Sequence, residues 1–147
     1  PAATRPSAGR PATRATDPSA QRRMAAARVK QFLAAGDLAA AEQTLARLAD
    51  DGDEATTHAL RGALHGARGD WPSARGAYER AVALDSEDPA VFLALSGLDR
   101  QQGRQDDAVD MLHRAQQHGA RGPEFEAIQR LVVSEQAVGR RPAPATW

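Results

Sequence analysis

Two pairs of histidines have a residue type and a spacing that could support metal binding. His58 and His65 lie seven residues apart, which places both on one face of a helix, and two such imidazoles could form half of a metal site. No carboxylate or cysteine lies beside them at ligand spacing. His113 and His118 are five residues apart and share a face poorly. The histidines therefore indicate partly exposed surface positions, and no metal is predicted.

The acidic residues have a structural explanation as well. Residues 50–54 read DDGDE, which lacks the alternating oxygen ligands and terminal glutamate of a calcium loop. This run predicts a loop followed by a helix start. Asp106 and Asp107 fall in the first turn of another predicted helix, where negative charge stabilises the positive end of the helix dipole.

Motifs of nucleophilic and phosphoryl-transfer enzymes are missing from the sequence. The 147 residues contain no cysteine, no glycine-rich phosphate loop, no G-x-S-x-G elbow and no H-E-x-x-H pair. Ser73, Ser86 and Ser96 fall at a helix start, a turn and a small-residue packing position. The sequence therefore predicts a protein that is not an enzyme and binds no cofactor.

The stretch 69–89, GDWPSARGAYERAVALDSEDP, shows which elements position these side chains. Asp70 can cap a helix N-terminus and Pro72 fits the first turn, so a helix begins there. Asp88 and Pro89 repeat this start signal, which predicts that the helix ends near Leu84 and that another begins at Pro89. The short turn between the two helices favours an antiparallel pair.

A spacing pattern within this stretch recurs along the chain. It consists of Gly69, Ala74, Tyr78 and Ala81, in which small residues allow close helix packing and the tyrosine fills the gap between helices. The glycine can adopt the positive φ that ends a helix. The pattern recurs 34 residues later and 33 residues earlier, at Gly103, Ala108, Leu112 and Ala115, and at Gly36, Ala41, Leu45 and Leu48.

This repeat resembles that of the tetratricopeptide repeat family, which carries a glycine at the turn and alanines with a large apolar residue in the second helix. The resemblance implies an all-α fold, a right-handed α-solenoid of about three helix-turn-helix repeats plus a C-terminal capping helix. Seven helices are expected in total.

The domain organisation follows from the resemblance and from composition. Residues 1–17 are predicted to be a disordered linker rich in Pro, Ala and Arg, and residues 140–147 a disordered tail whose Trp147 is either incidental or a docking anchor. The repeat domain covers residues 18–139, with repeats at about 22–54, 55–88 and 89–122 and a capping helix at 123–138. The linker and the initial proline favour a fragment of a larger protein.

The family binds peptides or helices in a groove lined by the first helix of each repeat. Transferring its groove positions to this sequence gives ten partner-binding residues: Lys30, Leu33, Ala59, Ala63, Gly66, Ala90, Leu93, Gly97, Arg100 and Gln101. The small central residues, with cations towards both ends, indicate a groove for an apolar helix or extended segment rather than an acidic peptide. The alternative is that these small residues serve only helix packing.

Two of the first helices depart from the family pattern. His58, Arg61 and His65 take the places of large apolar residues in the second repeat, and Asp99 does so in the third. Leucines lie one position away in both helices. Either the helices are rotated or polar side chains enter the packing layer. Rotation is preferred, because burying an unpaired polar group costs about 2 to 7 kcal/mol.

Bulk properties limit the function. The 19 basic and 19 acidic residues give zero net charge, which offers no reason to expect a nucleic-acid partner, and no apolar run reaches the length of a membrane span. We therefore predict a non-catalytic scaffold or adaptor for a protein or peptide partner, in bacterial envelope assembly such as pilus or secretion machinery. The alternatives are a homo-oligomerisation module and a regulatory domain of a larger protein. The compartment stays open between cell envelope, periplasm and cytoplasm.

Overall fold

A computed structural model describes residues 17–50 and 54–139, and these residues form seven helices and no strand, which confirms the all-α prediction. The helices are α1 (Pro18–Ala35), α2 (Leu38–Asp50), α3 (Ala55–Ala67), α4 (Trp71–Ala83), α5 (Pro89–Gln101), α6 (Gln105–Gln117) and α7 (Pro123–Gly139). None of these helices is long and apolar enough to cross a bilayer. The predicted linker before Asp17, most of the acidic run and the predicted tail at 140–147 lie outside the described residues.

Aspartate and proline fix where three of the helices begin. Each of these helices has a proline in its first turn. A backbone N–H at this position would have no hydrogen-bond acceptor within the helix, so its absence costs no hydrogen bond. The preceding aspartate accepts a hydrogen bond from a free backbone N–H. The pairs are Asp17 with Ser19 at 3.1 Å, Asp70 with Ser73 at 3.2 Å and Asp88 with Ala90 at 3.0 Å.

Glycine ends the first helix of each hairpin. Gly36, Gly69 and Gly103 have φ of 76°, 76° and 73°, a region that a β-carbon makes unfavourable. The left-handed residue turns the chain sharply, so that α1 packs on α2, α3 on α4 and α5 on α6.

Alanines form the contact layer within and between these hairpins. Ala41, Ala74, Ala81, Ala108 and Ala115 are completely buried. Because an alanine side chain is a single methyl group, it lets neighbouring helix backbones approach closely. The predicted small-residue contacts are thus present in all three repeats.

The hydrophobic core consists of three clusters of buried residues along the stack of helices. The α1–α3 end buries Val29 and Leu45, the centre buries Val91 and Leu95, and the other end is closed by residues of α6 and α7. The buried residues of α7 are Phe125 and Val132. The last helix therefore covers the end of the core with one side and leaves its other sides in solvent.

The two helices that depart from the repeat pattern accommodate their polar side chains in different ways. In α3, Leu60 and Leu64 are buried, while His58, Arg61 and His65 are only half-buried. The preferred rotation is correct for this helix, because it moves the leucines inward and leaves the polar side chains at the edge.

In α5 the preference for rotation is wrong, because Leu98 and Asp99 are both buried. The Asp99 carboxylate receives a hydrogen bond from Arg75 Nη2 in α4, and Arg104 Nη2 lies 3.1 Å from its Oδ1. The cost of burying the carboxylate is offset by two guanidinium groups. A polar side chain therefore does enter the packing layer, but as half of an ion pair.

Candidate partner-binding cleft

A cleft of about 530 Å³ lies among α3, α4, α5 and α7. Its wall combines aromatic, aliphatic and small residues, which together make it largely apolar. The lining residues are Gly66, Trp71, Tyr78, Ala90, Leu93, Ala94, Gly97, Leu98, Gln101, Glu124 and Ile128. A cleft of this size and chemistry suits one or a few apolar side chains of a partner.

Small residues on α3 and α5 give the cleft its depth. On α5, Ala90, Ala94 and Gly97 lie three and four residues apart and so line one face of the helix. On α3, a β-carbon at Gly66 would lie 3.4 Å from the Trp71 indole, so the glycine allows the ring to lie against the helix backbone. Trp71 remains 48% exposed and offers an aromatic surface to a ligand.

Electrostatics give the cleft one distinct charged position. Glu124 is the sole ionised side chain among the lining residues, all of which are described, and it lies at the α7 edge. No lysine or arginine lines the cleft. The cleft therefore offers no cation to a partner carboxylate, and its one charge would pair with a partner cation.

The Tyr78 ring forms part of the wall against α3. Burial, with a smaller contribution from nearby Asp88, raises the pKa of Tyr78 to about 12. The folded state therefore keeps its phenolic proton at pH values where the unfolded chain, with a pKa of about 10, has lost it.

This difference predicts a loss of stability in alkali. The contribution of Tyr78 to the free energy of unfolding is fully present below pH 10 and is lost as the pH rises from about 10 to about 12. Tyr78 is the only tyrosine, so near-ultraviolet tyrosinate absorbance reports it alone. We expect the tyrosinate titration to have its midpoint near pH 12 for the folded protein and near pH 10 for the protein unfolded in urea. Equal midpoints in the two titrations would show that the ring is not desolvated in solution.

A polar clamp holds α7 in the position where it lines the cleft. Glu135 receives hydrogen bonds from Gln105 Nε2 at 2.9 Å and Arg100 Nη1 at 3.0 Å. These bonds, the one from Gln105 first, hold the pKa of Glu135 below its ordinary value. The clamp joins α7 to the end of α5 and the start of α6, and so supports the wall formed by Glu124 and Ile128.

The structure brings half of the ten sequence-predicted site residues together in this cleft. These five are Gly66, Ala90, Leu93, Gly97 and Gln101. They come from the second and third repeats. This cleft therefore contains much of the second- and third-repeat part of the predicted groove.

The other five predicted residues lie elsewhere. Ala59 is buried in the central core, and Ala63 is half-buried on α3 without lining the cleft. Arg100 is engaged by Glu135, as described above. On α1, Leu33 packs against the first core cluster, and Lys30 lines a separate cavity of about 450 Å³ beside α3. The Lys30 ammonium lies 4.0 Å from an Asp88 carboxylate oxygen.

Several cleft residues were not predicted from the sequence. Trp71 and Tyr78 belong to the second helix of a repeat, whereas the predicted groove used first helices only. Glu124 and Ile128 lie 34 residues after Ala90 and Ala94. Extending the repeat spacing from the predicted residue Ala90 into α7 would have identified Glu124, whereas Ala94, the counterpart of Ile128, was itself not predicted.

No metal-binding arrangement accompanies the cleft in the described part of the chain. No group of three His, Cys, Asp or Glu residues able to hold an ion occurs in residues 17–50 or 54–139. His65 instead faces Asp70, with Nδ1 3.8 Å from a carboxylate oxygen.

Comparison with known proteins identifies similar folds. No family model and no curated protein matches the chain. The Yersinia enterocolitica type III secretion chaperone SycD is similar in structure, with a TM-score of 0.60 and 21% identity over 82% of this chain and 85% of SycD.

A second SycD structure, solved in complex with a peptide of the translocator YopD, has a TM-score of 0.58 and 20% identity over 80% of this chain and 91% of that chain. At this level of identity the likeness concerns the fold. The chain therefore has a helical-repeat fold of the tetratricopeptide-like kind found in SycD.

Proposed function

We propose that this protein is a non-catalytic adaptor that holds an apolar segment of a partner protein in the cleft between α3, α4, α5 and α7. The observation that carries the proposal is the cleft wall itself. Trp71 and Leu93 offer apolar surface beside a floor of alanine and glycine. An extended or helical segment with exposed apolar side chains could bury them there, with Glu124 at the edge of the cleft as the one charged lining side chain.

The fold comparison supports the same function. SycD, which shares this fold, has been crystallised with a peptide of the translocator YopD. We therefore propose a setting in bacterial secretion, with a segment of a secreted protein as the partner. The absence of cations from the cleft lining favours an apolar segment over an acidic one.

Replacing Leu93 by glutamate is expected to weaken partner binding by at least about 100-fold, because the new carboxylate would face apolar ligand groups without a counter-charge. The probe is a random peptide library displayed on phage and selected on the wild-type protein. Selected peptides are then synthesised and titrated against Trp71 fluorescence in a Trp147→Phe background, which leaves Trp71 as the sole tryptophan.

The matched control for this experiment is Val138→Glu. Val138 is 66% exposed on α7 and does not line the cleft, so the same charge there should leave affinity within about twofold. Circular dichroism checks that both variants keep their helicity. Undiminished binding by folded Leu93→Glu protein, or equal losses in both variants, would exclude the cleft as the binding site.

A further inference from the structure

A second groove lies at the end of the helix stack, on the α6 and α7 side. It has a volume of about 270 Å³ and takes its walls from these two helices. Val133, at its rim, is 55% exposed. None of its residues belongs to the partner-binding cleft, so an inference from this groove stands apart from the function proposed above.

The internal repeat shows what such a groove accommodates. Five of its lining residues lie 34 positions after five residues of α4 and α5, namely Val109 after Arg75, His113 after Glu79, Gln116 after Val82, Gln129 after Leu95 and Val133 after Asp99. All five of the earlier residues line another cavity, whose remaining walls are residues of α6 and Arg104, the residue just before it. The groove at the end of the stack is therefore the next copy of the surface on which α6 lies.

The way α6 occupies its own surface defines the chemistry of the contact. Ala108 and Ala115, seven residues apart, are completely buried, and Met111 packs against the central core. Ser96 Oγ donates a hydrogen bond of 2.9 Å to the Ala108 carbonyl. A helix with small residues at positions i and i+7 and a larger apolar residue between them fits this surface.

The two copies of the surface differ at all five of these positions, and at two of them the change removes an ion pair. Where α6 meets the charged pair Arg75 and Asp99, the end groove has Val109 and Val133. Arg104, at the N-cap of α6, complements the charge of Asp99 at 3.1 Å. At the end groove an arginine in that position would be desolvated against valines with no counter-charge, so the occupant must be uncharged there.

We propose that the α6–α7 groove binds an amphipathic helix supplied by a partner protein, lying as α6 lies on the preceding repeat and with an uncharged contact face. The proposal rests on the continuity of this surface with the α6 interface and on the exchange of the ion pair for two valines. The protein would then engage partners at two places, an apolar segment in the cleft and a helix at the end of the stack.

Two helical peptides test the proposal. One has the sequence of residues 104–118 of this chain, and the other carries Arg104→Ala, Asp107→Ala and Asp110→Ala, which remove the charges from the contact face. Both are held helical by a lactam between positions 113 and 117, on the side away from the contact, because peptides of this length are otherwise poorly helical. Fluorescence anisotropy of labelled peptide measures binding to the full chain.

The neutral peptide is expected to bind the wild-type protein at least tenfold more tightly than the native-sequence peptide. The double variant Val109→Arg/Val133→Asp, which recreates the charges of the preceding repeat, should reverse this order. Val133→Glu alone should weaken the neutral peptide at least tenfold, and because Val133 is largely exposed, this variant is expected to fold. Leu93→Glu should leave the binding of both peptides unchanged.

Four results would overturn the proposal. The first is no saturable binding of the neutral peptide, and the second is equal affinity of wild-type and Val133→Glu protein for it. The third is self-association of the peptide-free protein, seen by analytical ultracentrifugation and abolished by Val133→Glu, which would identify a second copy as the occupant. Loss of peptide binding in Leu93→Glu would also contradict it, because the peptide would then lie in the cleft.

Discussion

Replacing Asp99 by alanine is expected to lower the free energy of unfolding by about 3 kcal/mol, because it leaves the Arg75 guanidinium buried without its main counter-charge. The Arg75 side chain is 16% exposed and that of Asp99 only 7%. Arg75 would keep Glu79, which lies 3.3 Å away but is largely exposed and screened by water. Its Nε is buried and has no hydrogen-bond partner among the described residues.

Urea unfolding followed by circular dichroism measures this effect, with Asp107→Ala as the matched control. Asp107 also faces Arg104, at 3.9 Å, but is 61% exposed, so its loss should cost no more than about 0.5 kcal/mol. Similar losses for Asp99→Ala and Asp107→Ala would show that the Asp99 pair is solvated in solution.

The double variant Arg75→Val/Asp99→Val tests whether the ion pair itself stabilises the fold, or whether Asp99→Ala destabilises the fold only by leaving Arg75 without a counter-charge. It copies the valines that occupy these positions one repeat later, at Val109 and Val133. Apolar replacement of a buried ion pair is often close to neutral, so we expect a stability within about 1 kcal/mol of the wild type. A double variant less stable than Asp99→Ala would mean that the pair stabilises the packing of α4 against α5 directly.

The sequence pattern predicted the repeat architecture because that architecture depends on local spacing. Glycines at 36, 69 and 103 mark each turn, and the buried alanines lie at fixed distances after them. These signals act within one hairpin, and each repeat shows them independently. The all-α fold could therefore be predicted even though no family model matches the chain.

Asp99 could not be interpreted correctly from local spacing. Its partner Arg75 is 24 residues earlier and in another helix, so their pairing exists only once α4 and α5 have packed. The sequence argument assumed an unpaired carboxylate and therefore rejected its burial. The rule against burying polar groups holds here, but the partner had to be known before the rule could be applied.

The candidate site was predicted less completely than the fold, and Ala59 shows the reason. The rotation of α3 that buries Leu60 and Leu64 also turns Ala59 inward, so a position mapped to the groove surface lies in the core. A shift of one residue turns a helix by about 100°. Spacing that suffices to identify a repeat is thus too coarse to assign every groove position.

The size of the residue at position 62 is a second strong constraint on the packing of α3 against α4. A β-carbon at Gly62 would lie 2.7 Å from two carbons of the Tyr78 ring, closer than carbon atoms can approach. The corresponding pairs in the other repeats are Val29 with Leu45 and Ser96 with Leu112. The smallest residue of the three thus occurs with the largest partner.

Replacing Gly62 by alanine is therefore expected to destabilise the protein by up to about 2 kcal/mol. Alanine gains about 1 kcal/mol of helix propensity, but the displaced ring costs about 1 to 3 kcal/mol in a packed interface. Gly76→Ala is the matched control, because Gly76 is exposed inside α4 and a β-carbon there meets no atom within 4 Å. That variant should be about 1 kcal/mol more stable than the wild type.

The opposite signs of these two effects make the comparison decisive, because helix propensity alone would stabilise both variants. Adding Tyr78→Leu to Gly62→Ala removes the ring and reproduces the aliphatic partner of the other repeats, so the second substitution should cost much less in this background than in the wild type. Because Tyr78 also lines the cleft, the partner affinity of the same two variants shows whether the packing of this ring affects binding. Additive effects of the two substitutions, or a stabilised Gly62→Ala variant, would show that α3 and α4 can separate without the close contact that positions the Tyr78 ring.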